Sequence, residues 1–184
     1  ALSLPISDLM AGMKIDRFYL REIAVTNLVA NAKLQNGQLT VKPFQMTLNG
    51  APVKGSAALN LAQPGYVYDI TFQADKVPVE PLANTFSPAN PGKLKGDLNA
   101  NAVIKGAGMT GVNLKKNLSG EFTLNITNMN YEVVTPKTRR MLEPIAFVLN
   151  LRELLQSPLN WVDARINLDQ GQINLANFSV LSSA

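Results

Sequence analysis

The strongest constraint in this sequence is a two-residue alternation of apolar and polar side chains that recurs along most of the chain. In an extended backbone successive side chains point to opposite faces, so such a stretch presents one apolar and one polar face. From Leu94 to Ala102, positions Leu94, Gly96, Leu98, Ala100 and Ala102 fall on one side and Lys95, Asp97, Asn99 and Asn101 on the other. Tyr66, Tyr68, Ile70 and Phe72 alternate with Val67, Asp69, Thr71 and Gln73, and Phe122, Leu124 and Ile126 alternate with Glu121, Thr123 and Asn125. Strands of this kind belong to one-sided antiparallel sheets, because strands of a buried parallel sheet are apolar on both faces. The expected fold class is mainly β, a β-dominated α+β arrangement of antiparallel hairpins forming a curved sheet or a sandwich.

Helical spacing interrupts the alternation. Thr135-Pro136 reads as an N-cap followed by proline at the first helical position, and Met141, Leu142, Ile145, Val148, Leu149, Leu151, Leu154 and Leu155 continue at helical intervals. This predicts a helix over about 136–156 that packs on or caps the sheet. Pro144 inside it lacks a backbone donor and calls for a kink or a break. Shorter helices are expected from Val79 to Phe86 and from Pro5 to Ala11.

Internal repeats sharpen the picture. Gly37-Gln38-Leu39-Thr40-Val41-Lys42-Pro43-Phe44-Gln45-Met46 and Gly171-Gln172-Ile173-Asn174-Leu175-Ala176-Asn177-Phe178-Ser179-Val180 share glycine, glutamine and the same apolar positions. Ala30, Ala32 and Leu34 before the first copy match Ala164, Ile166 and Leu168 before the second, so each unit is a hairpin closed by a Gly-containing turn. The spacing from Val41 to Phe44, and from Leu175 to Phe178, slips the alternation once at the same place, which predicts a bulge in both copies. Pro43 cannot donate to a ladder and fits that bulge or an edge. A second element, apolar-x-Gly-x-apolar with a later asparagine, runs from Val53, Leu94 and Leu118. These features suggest one β-rich domain over 1–184, with repeat units at about 13–61 and 161–184 and a helical insert at about 135–158. The domain is expected to be part of a longer array in which neighbouring units cover each other's apolar faces.

Composition narrows the function. The chain of 184 residues has no cysteine and no histidine, which removes disulfides, thiolate chemistry, imidazole bases and the commonest metal ligand. Its 13 acidic residues occur singly, without an Asp-x-Asp pair, a phosphate-cradling glycine loop or a nucleophile elbow, so catalysis has little support and no cofactor is expected. The 17 Lys and Arg are scattered, and Phe44, Phe72, Phe122 and Phe178 lie in neutral or polar surroundings, which argues against a nucleic-acid stacking platform. No run approaches the roughly 18 apolar residues that a membrane-spanning helix needs.

The order of Leu4-Pro5, Met13-Lys14-Ile15-Asp16-Arg17-Phe18, the stretch from Ala30 to Phe44, Gly50, Val53-Lys54-Gly55, Leu59-Asn60-Leu61, Leu94-Lys95-Gly96-Asp97-Leu98 and Asn117-Leu118-Ser119-Gly120-Glu121-Phe122 resembles the AsmA family, in particular its C-terminal region. Family members often carry an aromatic residue before the glycine where this chain has Leu48-Asn49-Gly50, and the helical insert is longer than the resemblance leads one to expect. The resemblance implies a periplasmic β-rich body, anchored in the inner membrane by an N-terminal helix that this chain does not include, and a role in outer-membrane biogenesis. The larger relatives look like bridges that carry lipid along an apolar groove. The partners implied are lipid or a membrane surface and other envelope proteins, with no nucleic acid.

On that reading the lipid-facing candidates are Tyr66, Tyr68, Ile70, Phe72, Leu94, Leu98, Phe122, Leu124 and Ile126. The same alternation would equally serve the closed core of an ordinary scaffold module, and both alternatives stay open at this point. Lys137, Arg139 and Arg140, in the first turn of the expected helix, suit an anionic headgroup, although single solvated charges are the plainer reading. Trp161 is expected as a core aromatic at a strand start.

Overall fold

In the computed structural model, which describes residues 8–88, 91–108, 113, 116–131, 140, 143–144, 146–148 and 159–182, nine strands pair in chain order into a single antiparallel meander. They are β1 (Asp8–Leu20), β2 (Ile23–Gln35), β3 (Gln38–Leu48), β4 (Ala51–Asn60), β5 (Val67–Pro78), β6 (Leu94–Gly106), β7 (Ser119–Tyr131), β8 (Leu159–Asp169) and β9 (Gln172–Ser182), with one helix, α1 (Val79–Phe86), between β5 and β6. The expected mainly-β fold is the observed one, and it is a single open sheet. Its outer strands are β1 and β9.

The turns follow from the residues at their corners. Asn36-Gly37, Asn49-Gly50 and Gln170-Gly171 all have positive φ at both positions, the conformation of tight hairpins whose twist matches that of their strands. Asn49 also joins two hairpins: its Oδ1 accepts from the Ala24 N–H at 2.8 Å, and its own N–H donates to the Ala24 carbonyl at 2.8 Å.

The repeat is visible in the register. Leu34 opposes Leu39, Ala32 opposes Val41 and Ala30 opposes Phe44 in the first hairpin; Leu168 opposes Ile173, Ile166 opposes Leu175 and Ala164 opposes Phe178 in the second. The expected bulge occurs in both, between Ala30 and Ala32 against Lys42-Pro43, and between Arg165 and Ile166 against Ala176.

A second set of bulges lies near one end of the sheet, where β2, β5, β6 and β7 shift register at Asn27, Lys76, Gly96 and Asn128, all with positive φ. An extra residue bends its strand and raises the local twist, so bulges repeated on several strands curl the sheet at that end. The freed polar groups there find partners: the Lys76 N–H donates to Asn99 Oδ1 at 3.0 Å, and Asn128 Nδ2 donates to Asp97 Oδ2 at 2.8 Å.

α1 covers this curled end. Its Leu82 packs both on the cluster of Ala51, Val53, Ala74, Val77 and Ala100 and on the cluster of Ile23, Val25 and Leu28. Arg21 Nη1 donates to the Thr85 carbonyl at 2.9 Å and Asn84 Nδ2 to Glu22 Oε2 at 2.7 Å, tying the helix to the β1–β2 turn. The helix expected over 136–156 falls largely outside the described residues. Arg140, Glu143, Pro144 and Ala146 to Val148, which are described, are helical, and Ala146 is buried with Met129, Leu159 and Val180 beneath the same end.

Three expectations need correction. Asp8 to Ala11 are not helical but open β1, because their ladder with Ala32 to Gln35 of β2 outweighs a weak local helical spacing. Tyr66 does not belong to the alternating face of β5: with φ 51 next to Gly65 at φ 90 it closes the preceding turn, its N–H donating to the Gln63 carbonyl at 3.1 Å. Trp161 is half-buried opposite Leu181, and it joins none of the buried apolar clusters; its neighbour Val162 occupies the inward position instead.

Candidate functional site: one apolar face, closed at one end and open at the other

Because directly opposed residues in an antiparallel pair share a face, the register turns the alternation into a surface. One row across β2 to β7 reads Ala30, Phe44, Gly55, Phe72, Ala102 and Phe122, so large and small side chains alternate from strand to strand. The Phe44 ring leans over Gly55, its Cδ1 lying 3.7 Å from where a Cβ would stand, and such a Cβ would lie 2.6 Å from the Thr71 carbonyl oxygen. Tyr68 likewise lies over Gly106, occupying the space of a Cβ there. Glycines in these strands therefore make room for neighbouring rings and backbone. The repeated apolar-x-Gly element carries this packing into the sequence.

Towards the hairpins at Asn36-Gly37 and Gln170-Gly171 the next row is again apolar on every strand it crosses: Ala11, Ala32, Val41, Ala57, Ile70 and Ile104, continuing to Leu168 and Ile173 beyond Gly120. Here nothing described lies over the face. Ile70 is 37% exposed, Leu9 51% and Ile173 73%, and among the core residues of these outer rows only Leu34 is buried. At the opposite end Val53 is 1% and Val77 0% exposed, under α1. The apolar face is thus a closed core at the curled end and an open lane, running across the strands, at the other.

The sequence-derived candidates divide between the two. Leu98 packs against the cluster under α1, and Leu94 and Ile126 pack against the cluster under the helical segment containing Ala146. Phe72 sits at the boundary, half-buried against the first of these clusters. Tyr68, Ile70 and Phe122 lie on the lane side and belong to none of the buried clusters, whereas Leu124 stands between buried Ala100 and Ala164 in the row that continues Val53 and Ala74. Tyr66 lies in the turn described above. Lys137 and Arg139 fall outside the described residues, and Arg140 is exposed. Sequence reasoning missed Leu9, Val41, Ile173 and Leu175 of the lane; for the last three the signal was the repeat itself, since Val41 and Leu175 hold equivalent places in its two copies, whereas Leu9 lies outside it.

The reverse face is polar. Lys105 pairs with Asp69 at 3.4 Å and Arg165 with Glu121 at 3.3 Å, all well exposed, and Asp163 accepts from Asn177 Nδ2 at 3.0 Å. Exposed pairs of this kind add little stability; they keep that face in water. Shallow depressions of about 490 Å³ and 600 Å³ lie among polar-face residues, the first against Lys54, Ser56, Thr71, Gln73 and Asn101, the second against Asn101, Glu121, Thr123 and Asn167. Among the described residues no three or more acidic side chains gather in a way that could hold a metal ion, and no helix is long and apolar enough to cross a membrane.

Comparison with curated proteins and with solved structures finds no match. The sequence model of the AsmA family, in contrast, matches residues 6–178, from the first strand almost to the end of the last. With a match over nearly the whole nine-stranded sheet, the chain belongs to the AsmA family.

Proposed function

We propose that this chain is a non-catalytic segment of a bacterial envelope protein that holds lipid acyl chains along the open apolar lane. Membership of the AsmA family makes it an envelope protein related to outer-membrane biogenesis. The observation that carries the finer reading is the uninterrupted apolar row from Ala11 of β1 to Ile173 of β9, of which Ala11, Ile70 and Ile173 are exposed and the rest half-buried, along the end that neither α1 nor the helical segment containing Ala146 covers. Soluble proteins rarely leave contiguous apolar surface uncovered, because each Å² exposed to water costs about 25 cal/mol. Acyl chains are apolar, flexible and extended, and suit a lane whose side chains are apolar but for the Tyr68 hydroxyl. A lipid so held would lie across the strands, its polar headgroup outside the lane. Tyr68 apart, the described side chains of the lane carry no acid, base or nucleophile, which favours binding over reaction.

The scaffold reading applies to the closed end, where Val53, Val77 and Ala100 form an ordinary core. Native mass spectrometry after purification from bacterial membranes separates the two. Bound phospholipid on the wild type that is lost from a folded Ile70→Asp variant supports the lane; a lipid-free wild type, with Ile70→Asp unchanged in mass and fold, leaves only the scaffold.

A further inference from the structure

The lysines are scattered in the sequence, yet the register gathers three of them on the reverse face, around the bulge of β3. Ala30 and Ala32 oppose Phe44 and Val41 from one side, and Gly55 and Ala57 oppose the same two residues from the other. Lys42-Pro43 therefore stands between Asn31 of β2 and Ser56 of β4, on the side away from the lane. Lys33 lies one row towards the open end on β2, opposite Thr40, and Lys54 one row towards the curled end on β4, opposite Gln45. Diagonal neighbours of this kind are about 7–8 Å apart, within reach of long side chains. Lys33 and Lys42 line one depression of about 360 Å³, and Lys42 and Lys54 line another of about 490 Å³.

Among the described residues none of the three pairs with a carboxylate, whereas Lys14, Lys95, Lys105 and Arg165 each do. The carboxylates that share their rows, Asp69 and Glu121, are held by Lys105 and Arg165. The hairpin itself does not call for lysine, because the second copy has Asn167 and Ala176 where the first has Lys33 and Lys42. We infer that the reverse face over β2 to β5 binds a phosphorylated saccharide, its phosphate held by Lys33, Lys42 and Lys54 and its hydroxyls by the neutral side chains beside them. Cations without a carboxylate to neutralise them suit a phosphate dianion. Ser56 and Thr71, whose hydroxyls bond each other at 2.8 Å, line the larger depression with Gln73 and Asn101, a set of neutral donors and acceptors that matches sugar hydroxyls. A nucleic acid fits less well, because the register turns the Phe44 and Phe72 rings to the lane side and leaves none here for base stacking. An acidic peptide does too, because β2 to β5 are paired on both sides and offer it no main-chain groups. The site lies on the face opposite the lane and stands whether or not the lane takes lipid.

The test is calorimetric titration of the whole 184-residue chain at low salt with glucose 6-phosphate, inorganic phosphate and glucose. Glucose 6-phosphate is expected to bind about tenfold more tightly than inorganic phosphate, and glucose not measurably. Lys42→Gln, at an exposed position and with an unchanged melting temperature, should weaken glucose 6-phosphate about tenfold, whereas Lys105→Gln, outside the site, should leave it unchanged. Ser56→Ala should weaken glucose 6-phosphate alone and spare inorganic phosphate. No binding of glucose 6-phosphate overturns the inference, as does equal binding of inorganic phosphate or an equal loss in Lys105→Gln. Phosphatidylcholine vesicles carrying a phosphorylated glycolipid distinguish the sources of the sugar: binding that Lys42→Gln abolishes supports a lipid headgroup, and binding of glucose 6-phosphate without binding of these vesicles supports a free phosphosugar. Equal binding to vesicles of phosphatidylglycerol at the same charge overturns the inference in favour of a bare anionic membrane.

Discussion

Val77 and Ile70 both point to the apolar face of β5, yet Val77 is wholly buried and Ile70 is 37% exposed. The same holds for the sheet at large: one end of the face is sealed by α1 and the segment containing Ala146, and the other has no cover among the described residues. The difference teaches that alternation selects a face, whereas cover depends on what the connections between strands contribute. The curled end receives the longer connections, α1 and the β7–β8 segment, as well as the bulges that bend the strands. The open end has the tight turns at Asn36-Gly37 and Gln170-Gly171, the turn at 61–66 and the connection 107–118, and among the described residues none of these joins a buried apolar cluster on the face.

The largest effect that would sharpen this contrast comes from a charge placed at each end. Val77→Asp buries an uncompensated carboxylate and should cost more than about 4 kcal/mol, leaving little folded protein in thermal melts followed by circular dichroism. Ile70→Asp should melt within about 1 kcal/mol of the wild type, since its carboxylate reaches water. Similar losses at both sites would break the distinction. Next in size is Leu82→Ala, which removes the side chain joining two buried clusters to α1 and should cost about 2 kcal/mol in urea titration. Asn49→Ala withdraws the acceptor from the Ala24 N–H and leaves a non-glycine residue at positive φ, for a loss of about 1 to 2 kcal/mol by the same titration. Smallest is Lys76→Gly at the β5 bulge, where φ is 51 and the side chain is exposed; the melting temperature should rise slightly or stay put, because glycine accepts that conformation freely. A marked drop would mean that the lysine stem packs against the curled end.

Much of this fold was legible in the residues. The strands around Ile70, Leu98 and Leu124, the helix Val79–Phe86, the hairpin repeat and its bulge all follow from local periodicity and turn chemistry. Periodicity misled at Asp8 to Ala11, where pairing with β2 decides the conformation, and at Tyr66, where a turn ends the alternation one residue before the strand begins. Of the candidate site, the apolar face was readable and its division was not. Leu98 and Ile70 carry the same pattern in the sequence, and only the placement of α1 puts one in a core and leaves the other bare. Gly55 stood out in the sequence as part of a repeated element, but its reason, the close approach of the Thr71 carbonyl with the Phe44 ring beside it, is visible only in the structure.

The absence of cysteine from the chain allows a direct test of the central claim, that a single face is core at one end and lipid-accessible lane at the other. Single cysteines at Ile70, Phe122 and Leu175 on the lane side, and at Leu98 and Ile126 under the cover, would each be labelled with a polarity-sensitive bimane and titrated with phospholipid. Blue-shifted emission at the first three positions, with the last two already blue and unresponsive, is the predicted result. The same response at all five, or none at Ile70, Phe122 and Leu175, would contradict the account.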